Sequence, residues 1–103
     1  MSDNQRGEII QVQVKLFGHL KQIAHEAVID MDTPTGTSVD EVIQTIVQRL
    51  GEDFQKALLD QSGNLHGGIE IVLNHEHLPA RRISKIYISQ DSELFIMPMI
   101  EGG

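Results

Sequence analysis

The sequence predicts an α+β domain in which one main helix packs across a mixed β-sheet. Three observations support this prediction. Residues 9–17 alternate between apolar and polar side chains, as a strand with one buried face does. One long amphipathic helical segment begins after Ser38, and the apolar segment 93–97 is typical of a last, buried strand. The length of 103 residues fits a single domain.

The first part of the chain predicts two strands that flank a short helix. Gly18 ends the strand at 9–17, and residues 19–25 place apolar side chains at helical spacing over about two turns. A second strand is expected over 26–32, ended by the proline and glycine of segment 33–36. The residues that share the apolar face of the first strand are Ile10, Val12, Val14 and Leu16.

Ser38 and Glu41 predict the start of the main helix. Their spacing is that of a capping box, in which each side chain accepts a hydrogen bond from the backbone N–H of the other residue. Apolar residues then recur at helical spacing until Gly51, which marks the end of the helix. These residues are Val39, Val42, Ile43, Ile46, Val47 and Leu50.

The second half predicts short elements around a third strand at 69–73. In chain order we expect a turn or short helix around 54–59, a loop at 60–64, the strand at 69–73 and a hairpin turn at 74–77. An irregular segment at 78–83, a short strand or part of a connection at 86–88, and the last strand at 93–97 then follow. The domain organisation is therefore a flexible polar N-terminal extension at 1–8, one domain at 9–98 and a C-terminal tail at 99–103.

The composition excludes several classes of function. The chain has no cysteine, so it supplies no disulfide, thiolate metal ligand or thiol nucleophile. Fifteen acidic and eight basic residues give a net charge of −7, which opposes nucleic-acid binding and favours a basic partner surface. The apolar runs fall short of the ~20 residues that span a bilayer, and no signal segment is recognisable, so we expect a cytoplasmic protein without membrane contact.

The sequence also lacks a phosphate-binding glycine-rich motif and a catalytic constellation. We therefore expect a protein that is not an enzyme and binds no cofactor of its own. The dipeptide Gly102-Gly103 follows the last strand closely, and residues without a Cβ can enter a channel too narrow for any side chain. This pattern suits a carboxylate that is activated inside a partner enzyme, although small residues are also common at chain ends.

Four segments, taken in order, resemble the MoaD and ThiS families of ubiquitin-like sulfur carriers. They are 15–24 in the first strand and helix, 38–43 at the start of the main helix, 71–74 in the third strand and 93–98 before the tail. The resemblance spans about residues 10–103 and implies a ubiquitin-like β-grasp fold with a protruding C-terminal tail. Segment 97–101 differs from the Pro-Pro-Val type tail of MoaD-like members, which leaves the acceptor enzyme open.

The resemblance implies that an E1-like adenylyltransferase of the MoeB or ThiF type adenylates the carboxylate of Gly103, while Gly102 threads the tail. A persulfide donor then provides sulfur for a thiocarboxylate, which an acceptor such as the large subunit of molybdopterin synthase consumes. Molybdopterin or tungstopterin synthesis is our first choice of pathway. Sulfur delivery to thiamine thiazole or amino-acid biosynthesis, isopeptide bonding of Gly103 to lysines, and a plain binding module remain alternatives.

Apolar residues near the tail are candidates for partner binding: Phe17, Phe95, Met97, Met99 and Ile100. An exposed docking patch and completion of the core are both open interpretations for Phe17, Phe95 and Met97. For His75 and His77 a solvated turn is favoured over a metal site, so no metal ligand is predicted. The adjacent Arg81 and Arg82 are more simply a solvated loop than an anion site.

Overall fold

A computed structural model describes residues 8–99 of the protein. The predictions for residues 1–7 and 100–103, including those for Ile100, Gly102 and Gly103, lie outside the described residues. In chain order the elements are β1 (Ile9–Leu16), α1 (Gly18–Ala24), β2 (Val28–Pro34), β3 (Thr37–Ser38), α2 (Val39–Leu50), α3 (Glu52–Leu58), β4 (Ile69–Leu73), β5 (Glu76–Leu78), a 3₁₀ helix (Ala80–Lys85), β6 (Tyr87–Ile88) and β7 (Ser92–Pro98).

The main sheet has five strands in the order β2-β1-β7-β4-β5. Its central strand, β7, pairs in parallel with β1 and antiparallel with β4, and the other neighbouring pairs are antiparallel. The two short strands β3 and β6 form a separate antiparallel pair. The prediction of a mixed sheet with one main helix across it is therefore confirmed.

Helix α2 begins with the capping box that its sequence predicts. The backbone N–H of Glu41 donates to Ser38 Oγ at 3.1 Å, and the N–H of Ser38 donates to Glu41 Oε1 at 2.9 Å. The apolar face of the helix joins one core with the buried face of the sheet, including Val14, Leu94 and Ile96. The core thus forms where the 3.6-residue period of α2 meets the two-residue period of the strands.

The predicted bounds of β2 are wrong by two residues, since the strand covers 28–34 and not 26–32. His25 adopts a left-handed conformation with φ 62° after α1, and the chain needs the next two residues to return to the sheet. Pro34 closes the strand without loss of a ladder bond because β2 lies at the edge of the sheet.

Three other short segments also differ from the predictions. Residues 80–85 form a 3₁₀ helix and not an irregular loop, anchored by the single buried residue Ile83. The hairpin turn is limited to residues 74 and 75, because Glu76–Leu78 pairs with β4 as a strand. Strand β3 was not predicted, since two residues are too few to show an alternation.

Among the described residues, no helix has the length and apolar content needed to cross a bilayer.

We expect Ser38→Ala to lower the free energy of unfolding by about 1 kcal/mol, because the N–H of Glu41 loses its acceptor at a buried helix start. Urea denaturation of both proteins measures the difference. Ser89→Ala, at an exposed position outside the named elements, is the control. Equal stability of the two variants would contradict a stabilising cap.

Candidate functional site

The candidate site lies on the outer face of the main sheet, which we define as the face opposite the core. Along β7, Leu94 and Ile96 point into the core, whereas Phe95 and Met97 alternate with them and are partly exposed. Strand β1 shows the same division, with Lys15 on the outer face. The interpretation of Phe95 and Met97 as core residues is therefore wrong, and they lie on the face away from α2 as the alternative predicted.

The register of the sheet places five outer-face residues in one row across the strands. Lys15 is the neighbour of Phe95 in the parallel pair, and Phe95 is the neighbour of Val72 in the antiparallel pair. The row continues to Val28 at one edge and His77 at the other. Val72 is only 8% exposed although it lies outside the core cluster, so this part of the outer face is itself packed.

Phe17 and Phe95 stack with their ring centroids 6.1 Å apart and an interplanar angle of 22°. Lys15 Nζ lies 5.5 Å from the centroid of Phe95 and donates to Glu93 Oε2 at 3.2 Å. Phe17 remains 41% exposed, at the position that precedes α1. We call Phe17, Val72, Phe95 and Met97 the apolar patch, since they gather where β7 approaches the tail.

The other half of the outer face, away from the tail, is acidic. Asp30, Asp91 and Glu93 line a shallow depression there together with Gln13 and Asn74, and the backbone N–H of Gln11 donates to Asp91 Oδ1 at 2.9 Å. The acidic residues on this half are Asp30, Asp32, Asp91 and Glu93, with Lys15 as the neighbouring base. The outer face therefore carries the apolar patch near the tail, where Glu70 is the neighbour of Met97, and a group of acidic residues far from the tail.

The residues at the root of the tail contact two glycines. Met99, which is 53% exposed, donates its backbone N–H to the carbonyl oxygen of Gly68 at 2.5 Å. A Cβ on Gly18 would lie 3.0 Å from Pro98 Cγ. Sequence reasoning missed both contacts, because no local pattern relates positions 18 and 68 to 98 and 99.

The histidines of segment 74–77 take separate roles. His75 is an exposed turn residue, whereas His77 Nδ1 lies 2.8 Å from Glu70 Oε1 across the β4–β5 pair. Within residues 8–99, no cluster of three or more histidine, aspartate or glutamate side chains could hold a metal ion. Arg81 and Arg82 are exposed on the 3₁₀ helix.

We expect the stack of Phe17 and Phe95 to give a coupling energy of about 0.5–1.5 kcal/mol in a double-mutant cycle. The cycle compares the unfolding free energies of Phe17→Ala, Phe95→Ala and the double variant. A second cycle pairs Phe95→Ala with Tyr87→Ala, which alters an aromatic residue on the other sheet and should show additive effects. Additive effects in both cycles would mean that the stack contributes nothing to stability.

Comparison with solved structures shows a shared fold. Small archaeal modifier protein 1 of Haloferax volcanii has a TM-score of 0.77 and 19% identity, over 90% of this chain and 99% of that protein. Urm1 of Trypanosoma brucei has a TM-score of 0.73 and 16% identity, over 94% and 99%. A putative molybdopterin converting factor, subunit 1, of Pyrococcus furiosus has a TM-score of 0.67 and 17% identity, over 88% and 99%.

No curated protein matches the sequence. The model of the ThiS family does match it, over residues 14–103, which include β1 from Val14 onward, every later element and the dipeptide Gly102-Gly103. The match confirms the expected resemblance, and the solved structures confirm the ubiquitin-like β-grasp fold. The protein therefore belongs to the ThiS family, whose MoaD- and ThiS-like members are ubiquitin-like sulfur carriers.

Proposed function

We propose that the protein is a sulfur carrier that works through the carboxylate of Gly103. The observation that supports this most directly is that the family match runs to Gly103, so the dipeptide belongs to the matched segment. The second support is the topology, in which the last strand leads from the centre of the sheet straight to residues 99–103. The protein is then the substrate of a partner enzyme and not a catalyst.

The proposed chemistry requires an activating enzyme, a persulfide donor and a reducing thiol. A carboxylate oxygen of Gly103 attacks the α-phosphorus of ATP in an E1-like adenylyltransferase, and pyrophosphate leaves. A persulfide sulfur displaces AMP from the acyl carbon, and a thiol then cleaves the sulfur–sulfur bond to give the thiocarboxylate. Because the chain has no cysteine, both sulfur groups come from partner proteins or small thiols. Since ATP is needed, we place the reaction in the cytoplasm.

Molybdopterin or tungstopterin synthesis is the pathway that we propose, with the large subunit of molybdopterin synthase as the acceptor of sulfur. The Pyrococcus protein named above shares the fold that this role uses. Thiamine thiazole and amino-acid biosynthesis use the same thiocarboxylate, so they differ from this proposal only in the acceptor.

Protein modification is the second candidate function. The Haloferax protein is named a modifier and has the same fold at 19% identity. An isopeptide bond to a lysine begins from the same adenylated Gly103, and attack by an amine then takes the place of attack by sulfur. The experiment below distinguishes the two uses of the activated terminus.

We further propose that the apolar patch, extended by Met99 and Ile100, docks the activating enzyme. An aromatic pair that is packed on one side and exposed on the other offers a rigid contact with little side-chain entropy to lose. The acidic half of the outer face favours a partner that presents basic residues opposite Asp30 and Asp32.

Mass spectrometry of the protein from its native host tests the carrier function. We expect a fraction of the C-terminal peptide to gain about 16 Da through replacement of oxygen by sulfur on Gly103. Methionine oxidation adds nearly the same mass and the chain has four methionines, so alkylation of the thiocarboxylate provides the distinction. Deletion of Gly103 is the control and should abolish the modified species.

An unmodified Gly103 in the presence of the E1-like enzyme, ATP and a sulfur donor would reject the carrier function. A ladder of lysine adducts that disappears on deletion of Gly102 and Gly103 would instead support protein modification.

Phe17→Ala tests the docking surface. We expect it to weaken binding of the activating enzyme about tenfold, which corresponds to the loss of one exposed aromatic anchor. Titration calorimetry or surface binding measures the dissociation constant. Tyr87→Ala removes an aromatic residue that is more exposed, at 62% against 41%, and should leave the constant within about twofold. Equal effects of the two variants would show that docking uses another surface.

A further inference from the structure

The tail leaves the domain at Met99, whose backbone is hydrogen-bonded to the domain although the residue is largely exposed. Pro98, the last residue of β7, is still paired with Ile69 of β4. The next residue, Met99, donates its N–H to the carbonyl oxygen of Gly68, although more than half of the residue is exposed. The main chain of the tail is thus attached to the domain one residue beyond the end of the strand.

A glycine is favoured at position 68 by its close contact with Met99 and not by its backbone conformation. Its φ is not positive, so an L-residue could adopt the same backbone there. A Cβ on Gly68 would, however, lie 3.3 Å from the carbonyl oxygen of Met99, and one of the two would have to move by a few tenths of an ångström. Its neighbour Gly67 also lacks a positive φ, but a Cβ there would contact nothing within 4 Å. Of Gly67 and Gly68, only Gly68 therefore lies so close to the root of the tail that a side chain would crowd it.

A second glycine contacts the root from the opposite side. Gly18 follows β1 and Gly68 precedes β4, and these two strands flank β7. Gly18 has φ +61°, and a Cβ on it would lie 3.0 Å from Pro98 Cγ. The bare backbone at position 18 therefore makes room for the proline ring, and the bare backbone at position 68 makes room for Met99.

We propose that Gly18 and Gly68 form a clamp that sets the direction in which residues 100–103 leave the domain, an inference that rests on the proposed function. Four extended residues span at most about 14 Å, so the tail has little length with which to correct a wrong direction. A partner that holds the outer face finds the carboxylate in reach only if the root points correctly. The two glycines act as positioning residues, and neither takes part in the chemistry.

The test compares Gly68→Ala and Gly68→Val with Gly67→Ala in the full-length chain. The first measurement is the hydrogen-exchange rate of the Met99 amide by NMR, which does not depend on any function. We expect exchange to become faster by about threefold with alanine and about tenfold or more with valine, because the hydrogen bond to Gly68 is displaced. Gly67→Ala should leave the rate unchanged. Urea denaturation of each variant separates this local effect from a loss of global stability.

The second measurement is adenylation by the E1-like enzyme of the same genome. A clamp predicts that kcat falls about three- to tenfold in the Gly68 variants while the KM for this protein stays within about twofold, since the aromatic anchors Phe17 and Phe95 of the docking surface are unchanged and only Met99 at its margin moves. If Gly68 had a purely structural role, the kcat and the KM of adenylation would both be unchanged in variants that fold. If valine prevents folding, the alanine variant decides the result.

Three results would overturn the proposal. Unchanged exchange at Met99 in both Gly68 variants would show that no clamp exists, whatever the function. Faster exchange at Met99 in the Gly68 variants, together with a kcat equal to that of Gly67→Ala, would show that the root is held without consequence for the reaction. Absence of adenylation in the wild-type protein would reject the proposed function and the role of the clamp with it, and the exchange data would still report whether the contact forms.

Discussion

The position of β7 at the centre of the sheet is the constraint on which the rest of the structure depends. Its parallel pairing with β1 joins the two ends of the domain, as the bond between Gln11 and Asp91, 80 residues apart, illustrates. A pairing of such long sequence separation carries a loop-closure cost in entropy and needs both terminal strands of the domain. The strand that leads into the tail is therefore the strand that completes the sheet, and the tail acquires a defined starting point only in a folded domain.

The two faces of β7 have different surroundings, since one packs in the core and the other carries the proposed docking patch. Leu94 and Ile96 are fully buried beneath α2, while Phe95 and Met97 share the same backbone and face outward. The outer face is not simply solvated, because Phe95 lies between Lys15 and Val72 and leaves Val72 nearly buried. A lysine stem beside an aromatic ring shields apolar surface from water while its charge stays hydrated. Such a patch can remain exposed in the free protein and still offer a preformed contact.

How far the sequence predicts the structure depends on whether the responsible interaction is local. The capping box at Ser38 and the alternation of β1 are local signals, and they predicted α2 and β1 correctly, whereas the direction of Phe95 stayed open until the sheet placed it on the outer face. The bounds of β2 were wrong because the left-handed turn at His25 is not visible as a pattern in an ordinary residue. Val72 beside Phe95, and Gly68 against Met99, were missed for a different reason. Both contacts depend on the register of β4 with β7, and register is a property of the assembled sheet.

Four of the nine glycines of this chain bear on the tail, in two pairs with different proposed effects. Gly18 and Gly68 leave room for Pro98 and Met99 close to the domain, and in the proposed clamp this contact holds the root of the tail. Gly102 and Gly103, in the proposed function, let the far end enter a narrow site. A held root and a slender far end are complementary in the proposed function. A partner that has to order a free chain loses about 1–2 kcal/mol of conformational entropy per residue. Residues already held by the domain add nothing to that cost. If Gly103 is the reacting residue, as proposed, a partner has to order only residues 100–103. The proposed clamp and the proposed entry of Gly102 and Gly103 into a narrow site therefore make the same demand on the sequence, a backbone without a side chain.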